Sequence, residues 1–127
     1  MEYIISSIIG YLLGSFPTAY FIVKKTSNVD ITKEGSGSVG AFNSFEISKS
    51  KLVGFSVFLI DFMKGAASVV ISMLIFPGEF GYPALALLFS VFSHCFNPWL
   101  QFKGGRGLAT AAGGAAIILP LLLILWS

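Results

Sequence analysis

The sequence predicts an all-α protein, a polytopic integral membrane helix bundle with about four transmembrane helices and two cytoplasmic glycine-rich loops. Three observations predict it. The 127 residues are 55% hydrophobic and only 11% charged, and the mean hydropathy is +0.85, well above that of an ordinary soluble domain. The apolar residues gather into runs close to the roughly 20 residues that a membrane span requires. The cations are confined almost entirely to the segments between particular runs.

The first run, residues 3–23, carries no charge. Glu2 stands where a secretory signal would have a basic start, and the run is longer than a signal core, so it reads as a retained helix. Residues 52–76 form the second span with one internal charge pair, residues 83–102 the third, and residues 108–126 a fourth that is slightly short. Pro17, Pro98 and Pro120 interrupt runs, which predicts kinks near the cytoplasmic ends of spans one and three. Gly10 with Gly14, and Gly107 with Ala111 and Ala115, make stripes of small residues suited to close helix contact. Cys95 is the only cysteine, lies in a span and cannot form an internal disulfide, so it reads as a packing residue. Residues 1–127 are expected to form a single membrane domain.

Charge orients the spans. Lys24, Lys25, Lys33, Lys49 and Lys51 fall between the first and second runs, and Lys103 and Arg106 between the third and fourth. The opposite ends carry Glu2 and Glu79 instead. The positive-inside rule then places both basic loops in the cytoplasm, with both chain ends outside. These cations are explained by topology, so nucleic acid is not called for as a partner.

Two of the loops have the composition of anion sites. In "DITKEGSGSVGAFNSFE", residues 30–46, Gly35, Gly37 and Gly40 permit conformations closed to other residues. Successive amides in such a loop form an anion-binding nest, and Ser36, Ser38 and Asn43 add side-chain donors. The other reading of the segment is a flexible connection. It is not a Walker loop, because the Gly-Lys-Ser/Thr ending is missing. In "FKGGRG", residues 102–107, Lys103 and Arg106 flank Gly104 and Gly105, and Gly107 leads into the next helix. Helix N-terminal amides, the positive end of the helix dipole and two cations there suit a phosphate. A basic turn that sets topology is the alternative.

Within the membrane, Asp61 and Lys64 stand three apart on one helix face and are expected to form a structural ion pair, with direct ligand contact as the other reading. His94, the only histidine, could act as a base or donor, or serve as a hydrogen-bonded structural residue. One histidine with these carboxylates is expected to yield neither a metal cluster nor a Ser-His-Asp arrangement. No cofactor is expected.

Taken together, "YLLGSFPTAY" at 11–20, "GSGSVGAFN" at 35–43, "DFMKG" at 61–65, His94 and "FKGGRGLAT" at 102–110 resemble, in order and spacing, the bacterial acyl-phosphate:glycerol-3-phosphate acyltransferases, the PlsY family. The resemblance covers nearly the whole chain. It implies a multi-pass enzyme of the bacterial inner membrane that transfers an acyl group from acyl phosphate, not acyl-CoA, to glycerol 3-phosphate, giving lysophosphatidic acid for phospholipid synthesis. It implies that Ser36 and its glycine neighbours hold phosphate or polarise the reacting group, and that Asn43 fixes the loop or the substrate. It also implies that Lys103 with the amides of Gly104–Gly107 binds a second phosphate, with Arg106 at a basic family position and His94 in a positioning role. Because both substrates carry phosphate and one carries a lipid tail, a cationic, amide-rich pocket at the membrane surface is where they could meet, and activated acyl phosphate needs no covalent enzyme intermediate.

The departures are specific. Ser38 stands where the family has Asn, Phe42 where it has Thr, and Glu46 where it has Arg; an acidic side chain there would repel phosphate unless Lys49 or Lys51 reaches in. Family members also continue through further membrane helices to a segment carrying additional His, Asn and Glu, so the sequence reads as a truncated homologue or as one part of a longer protein. Three functions follow: the acyltransferase, a non-catalytic membrane partner that binds phospholipid precursors or a full-length enzyme, and a small anion channel or transporter.

Overall fold

Proline has no amide hydrogen to give a helix, and the first apolar run divides at Pro17 into α1 (Glu2–Gly14) and α2 (Thr18–Ser27). The computed structural model describes residues 1–126. Asn28, in the left-handed region at φ 54°, ends α2. The segment that follows is not wholly a loop: after a 3₁₀ turn at Ile31–Lys33, a further short helix, α3 (Ala41–Ser48), forms within it, with extended Gly40 at its N-cap.

Ser50 opens α4 (Lys51–Ile75) by accepting a hydrogen bond from the Val53 amide at 3.3 Å. This 25-residue helix is about 38 Å long at the usual rise per residue. The third span is shorter than expected: α5 is Gly81–Cys95, and the rest of residues 83–102 leaves the helix. The cause is Asn97-Pro98, because a residue before proline is pushed out of the helical region; a 3₁₀ turn, Pro98–Leu100, follows with the Asn97 side chain accepting from the Trp99 amide at 3.0 Å. The last helix, α6 (Leu108–Trp126), carries Pro120 inside it. Among the described residues there is no strand, only one isolated bridge between Asn97 and Lys103.

The stretch Glu2–Ser27, taken across its break, and α4 are long and apolar enough to cross a membrane, while α5 and α6 are apolar and shorter. The bundle pairs α1 with α5 and α4 with α6, and α4 also packs on α1 and α5. Glycine makes both pairings possible. A Cβ on Gly10 or Gly14 would fall on the Ala86 or Ser90 carbonyl, and one on Gly65 or Gly113 on the Thr110 or Phe62 carbonyl. On α6 the contact stripe therefore runs through Gly107, Thr110, Gly113 and Gly114, not through Ala111 and Ala115 as the spacing suggested.

The interior and exterior are inverted relative to a soluble protein. Ser6, Ser68, Ser72, Ser90 and Ser93 are buried, with Ser6 and Ser72 sharing a hydrogen bond at 2.9 Å, while Ile4, Ile8, Leu12, Phe55, Leu74 and Leu88 face outward. Hydroxyls between close-packed helices and large apolar groups outside are the arrangement that lipid solvation favours.

Candidate functional site at one end of the bundle

The two glycine-rich segments meet. The Val39 amide donates to the Gly104 carbonyl at 3.1 Å, tying residues 35–40 to residues 103–107. Asn43, buried on α3, builds the first segment from below. Its Oδ1 accepts from the Ser36 amide at 3.2 Å, and its Nδ2 donates to the carbonyls of Glu34 at 3.1 Å and Ser38 at 2.9 Å. Asn43 thus bonds to the backbone of Glu34, Ser36 and Ser38 at once.

The amides of that segment do not form an open nest. Those of Ser36 and Ser38 donate to Asn43 Oδ1 and Ser36 Oγ, that of Gly37 to the Glu34 carbonyl at 2.9 Å, and that of Val39 to Gly104. In the second segment the Gly105 amide donates to the His94 carbonyl at 3.3 Å, so it too is turned inward. What the two segments present is the start of two helices. Gly40, Ala41 and Phe42 at the N-terminus of α3, and Gly107, Leu108 and Ala109 at that of α6, line one cavity of about 450 Å³. Two converging positive dipole ends suit an anion.

Ser36, Ser38, Asn43, His94 and Arg106 line the same cavity, together with Asp61. Bordering one space does not join them: among the described residues no hydrogen bond links a serine hydroxyl to His94. Phe58, Leu108, Ala109 and Ala112 supply an apolar wall along α4 and α6. Lys103 is not among the cavity's lining residues. It borders a smaller polar cavity of about 210 Å³ with Tyr20, Asp30, Thr32, Lys33 and Trp99. There the Thr32 hydroxyl, donating to Asp30 at 2.6 Å, holds the Asp30 carboxyl below the ordinary carboxylate range. Glu46 lies exposed on α3 and borders neither cavity, and Lys49 and Lys51 do not reach the larger one.

Below the larger cavity Asp61 and Lys64 form the expected ion pair, Nζ to Oδ1 at 2.9 Å, with both side chains buried. Lys64 also donates to the Phe16 carbonyl at 3.0 Å, freed by the break at Pro17, and Asn97 donates to the Ser15 carbonyl at 2.7 Å. The helix break is thus held from two sides. His94 packs between Asp61 and the second glycine segment: its Nδ1 lies 3.9 Å from Asp61 Oδ1, and its Nε2 faces Gly105.

Sequence reasoning missed the α3 N-terminus, whereas Asp61, weighed there as an ion-pair or ligand-contact residue, is both paired with Lys64 and on the cavity lining.

A family profile described as glycerol-3-phosphate acyltransferase matches residues 4–127. A glycerol-3-phosphate acyltransferase of Helicobacter pylori is 33% identical over 124 residues, which is 93% of this chain and 56% of that protein. The crystal structure of PlsY, an integral membrane glycerol 3-phosphate acyltransferase, in its glycerol 3-phosphate form superposes with a TM-score of 0.84 at 33% identity, covering 98% of this chain and 62% of that one. Its lysophosphatidic acid form gives 0.80 at 31%, covering 98% and 61%. The chain therefore spans a little more than half the length of the proteins it matches.

Proposed function

The chain belongs to the glycerol-3-phosphate acyltransferase family, and from that premise we propose that it carries the phosphate-handling part of an acyl transfer from acyl phosphate to glycerol 3-phosphate, yielding lysophosphatidic acid. The observation that carries this reading is the larger cavity, where two helix N-termini, Arg106 and the Ser36 and Ser38 hydroxyls border the same space as an apolar wall. A phosphate on an acyl tail needs both kinds of surface. The similarity to structures solved with glycerol 3-phosphate and with lysophosphatidic acid supports the same acceptor and product.

In this reading the acyl phosphate sits with its phosphate at Arg106 and the α3 and α6 N-termini, and its tail leaves along Phe58, Ala109 and Ala112. The smaller cavity, with Lys33 and Lys103, takes the second phosphate. Ser36 polarises the acyl carbonyl by hydrogen bonding, a contribution that counts where charge develops in the transition state. Lys103 and His94 complete the catalytic set, and residues 1–127 act as one domain in a bacterial inner membrane with both glycine segments in the cytoplasm, as the placement of Lys24, Lys25, Lys33, Lys103 and Arg106 supports.

The test is product formation by purified protein in bilayers, with labelled glycerol 3-phosphate and palmitoyl phosphate, and palmitoyl-CoA as the control donor. Lysophosphatidic acid from palmitoyl phosphate alone, reduced at least ~10²-fold in Arg106→Ala and in Lys103→Ala, is the expected result. Binding of glycerol 3-phosphate by folded protein without turnover would favour the non-catalytic partner.

A further inference from the structure

We propose that the trough between α3 and α4 is a membrane-side loading site for the acyl donor, with Lys51 receiving the phosphate and Phe55 the tail before the molecule passes Phe42 into the larger cavity. This deepens the acyl-transfer reading and rests on it for the identity of the donor. Lys51 and Phe55 lie outside the residues assigned to the transfer itself.

Three observations carry it. First, an open trough of about 380 Å³ lies beside the larger cavity, lined by Ala41, Phe42, Phe45, Lys51, Gly54 and Phe55. Ala41 and Phe42 border both spaces, so the trough leads to the α3 N-terminus. Second, the α4 residues of the two spaces form one stripe: Lys51, Gly54 and Phe55 in the trough are followed at helical spacing by Phe58 and Asp61 in the cavity. A Cβ on Gly54 would lie 2.8 Å from that of Phe45, so the bare backbone there lets α3 rest directly on α4. Third, the charge sits at one end. Lys51 is the only charged residue of the trough, it is exposed, and among the described residues it makes no ion pair. It is also the first residue of α4, where a cation opposes the helix dipole, so helix stability does not account for it. The positive-inside rule asks for a cation in this segment, not for one at the head of an aromatic trough.

The chemistry of these walls selects the ligand. Three phenylalanine rings and one unpaired ammonium suit an anion that carries a long apolar tail, and glycerol 3-phosphate has no tail to place there. In the orientation proposed above, Lys51 lies at the cytoplasmic surface, with Phe55 and Phe58 about 6 and about 10 Å further along the helix axis. A phosphate held at Lys51 therefore directs its tail down the same stripe that borders the transfer site. Because the trough is continuous with a cavity assigned to one tail, its occupant is a single-chain phosphate monoester and not a two-chain phospholipid. Passing Phe42 carries the phosphate from Lys51 to the α3 N-terminus while the tail stays on α4.

The test is photo-crosslinking of the full chain in bilayers with hexadecyl phosphate that carries a diazirine on its tail. This probe has no acyl group to transfer, so labelling reports binding alone. Label is expected at Phe42, Phe45 and Phe55, competed by palmitoyl phosphate and not by the same amount of phosphatidylglycerol. Lys51→Gln should reduce it about fivefold, the effect of one lysine on an anion at a membrane surface, and Phe55→Ala roughly threefold through lost apolar contact. Both side chains are exposed, so neither change threatens the fold. Where turnover is present, both variants should raise KM for palmitoyl phosphate with kcat held within about twofold, the pattern of lost binding without lost chemistry. Label spread equally over other outward positions such as Leu12 and Leu74, equal competition by phosphatidylglycerol, or labelling unchanged in either variant would overturn the proposal. Labelling as expected with no lysophosphatidic acid formed from palmitoyl phosphate counts against the acyl-transfer reading alone.

Discussion

In residues 35–40 glycine turns the chain, whereas in residues 104–105 it lets one part of the chain lie against another. Gly35 and Gly37 have φ of 56° and 74°, a region that side chains other than glycine's rarely enter. Gly104 and Gly105 have no such dihedrals; a Cβ on Gly104 would meet the carbonyls of His94 and Cys95, and one on Gly105 would meet the His94 ring and the Val39 carbonyl. Two stretches of similar composition thus depend on glycine for different physical reasons. The amides of Ser36, Gly37, Ser38 and Val39 in the first and of Gly105 in the second are bonded within the protein, which leaves ligand contact to side chains and helix ends.

That contrast can be broken by adding one methyl group at a time. Gly105→Ala should have the largest effect, about 3 kcal/mol or more, because the added Cβ would strike both the His94 ring and the Val39 carbonyl. Lysophosphatidic acid formation should fall at least tenfold, and the ¹⁵N signals of His94 should shift. Asn43→Ala comes next: it strands the Ser36 amide and the carbonyls of Glu34 and Ser38, with a loss of about 2–3 kcal/mol expected in thermal or denaturant unfolding. Gly37→Ala should cost about 1–2 kcal/mol, mainly through its left-handed backbone, with the added Cβ also tight against the Thr32 carbonyl oxygen at 3.1 Å. Gly40→Ala sharpens the comparison from the other end. Gly40 is extended and its Cβ would meet only Ser38 Oγ at 3.6 Å, so the change should stay below about 1 kcal/mol.

The parts of the fold that local rules govern were legible. Pro17 announced the break between α1 and α2, the uncharged runs announced the membrane helices, and the Gly10–Gly14 spacing announced a close helix contact, which α5 supplies. The site was legible as a list of residues more than as an arrangement. Ser36, Asn43, His94 and Arg106 were all named, but several of the amides credited to the loops, those of Ser36, Gly37, Ser38, Val39 and Gly105, are already bonded, because Asn43 and the His94 carbonyl meet them from elsewhere in the sequence. The helix α3 was hidden by its neighbours: a glycine- and serine-rich approach reads as loop, although "AFNSFEIS" that follows has no breaker in it. Lys103 and Arg106, three apart in sequence, border different cavities because the chain between them folds back onto α5.

The inverted interior has a bearing on how this protein tolerates change. In a water-soluble domain the outside accepts most substitutions and the inside accepts conservative apolar ones. Here the spacing between helices is set by backbone touching backbone at Gly10, Gly14, Gly65 and Gly113. A saturation scan should therefore read in reverse: outward positions such as Leu12, Leu74 and Leu88 would exchange freely among oily residues and reject charge, while inward ones would reject the very leucines and phenylalanines that stabilise an ordinary core. Drift over long times would enlarge the rim and leave the centre small.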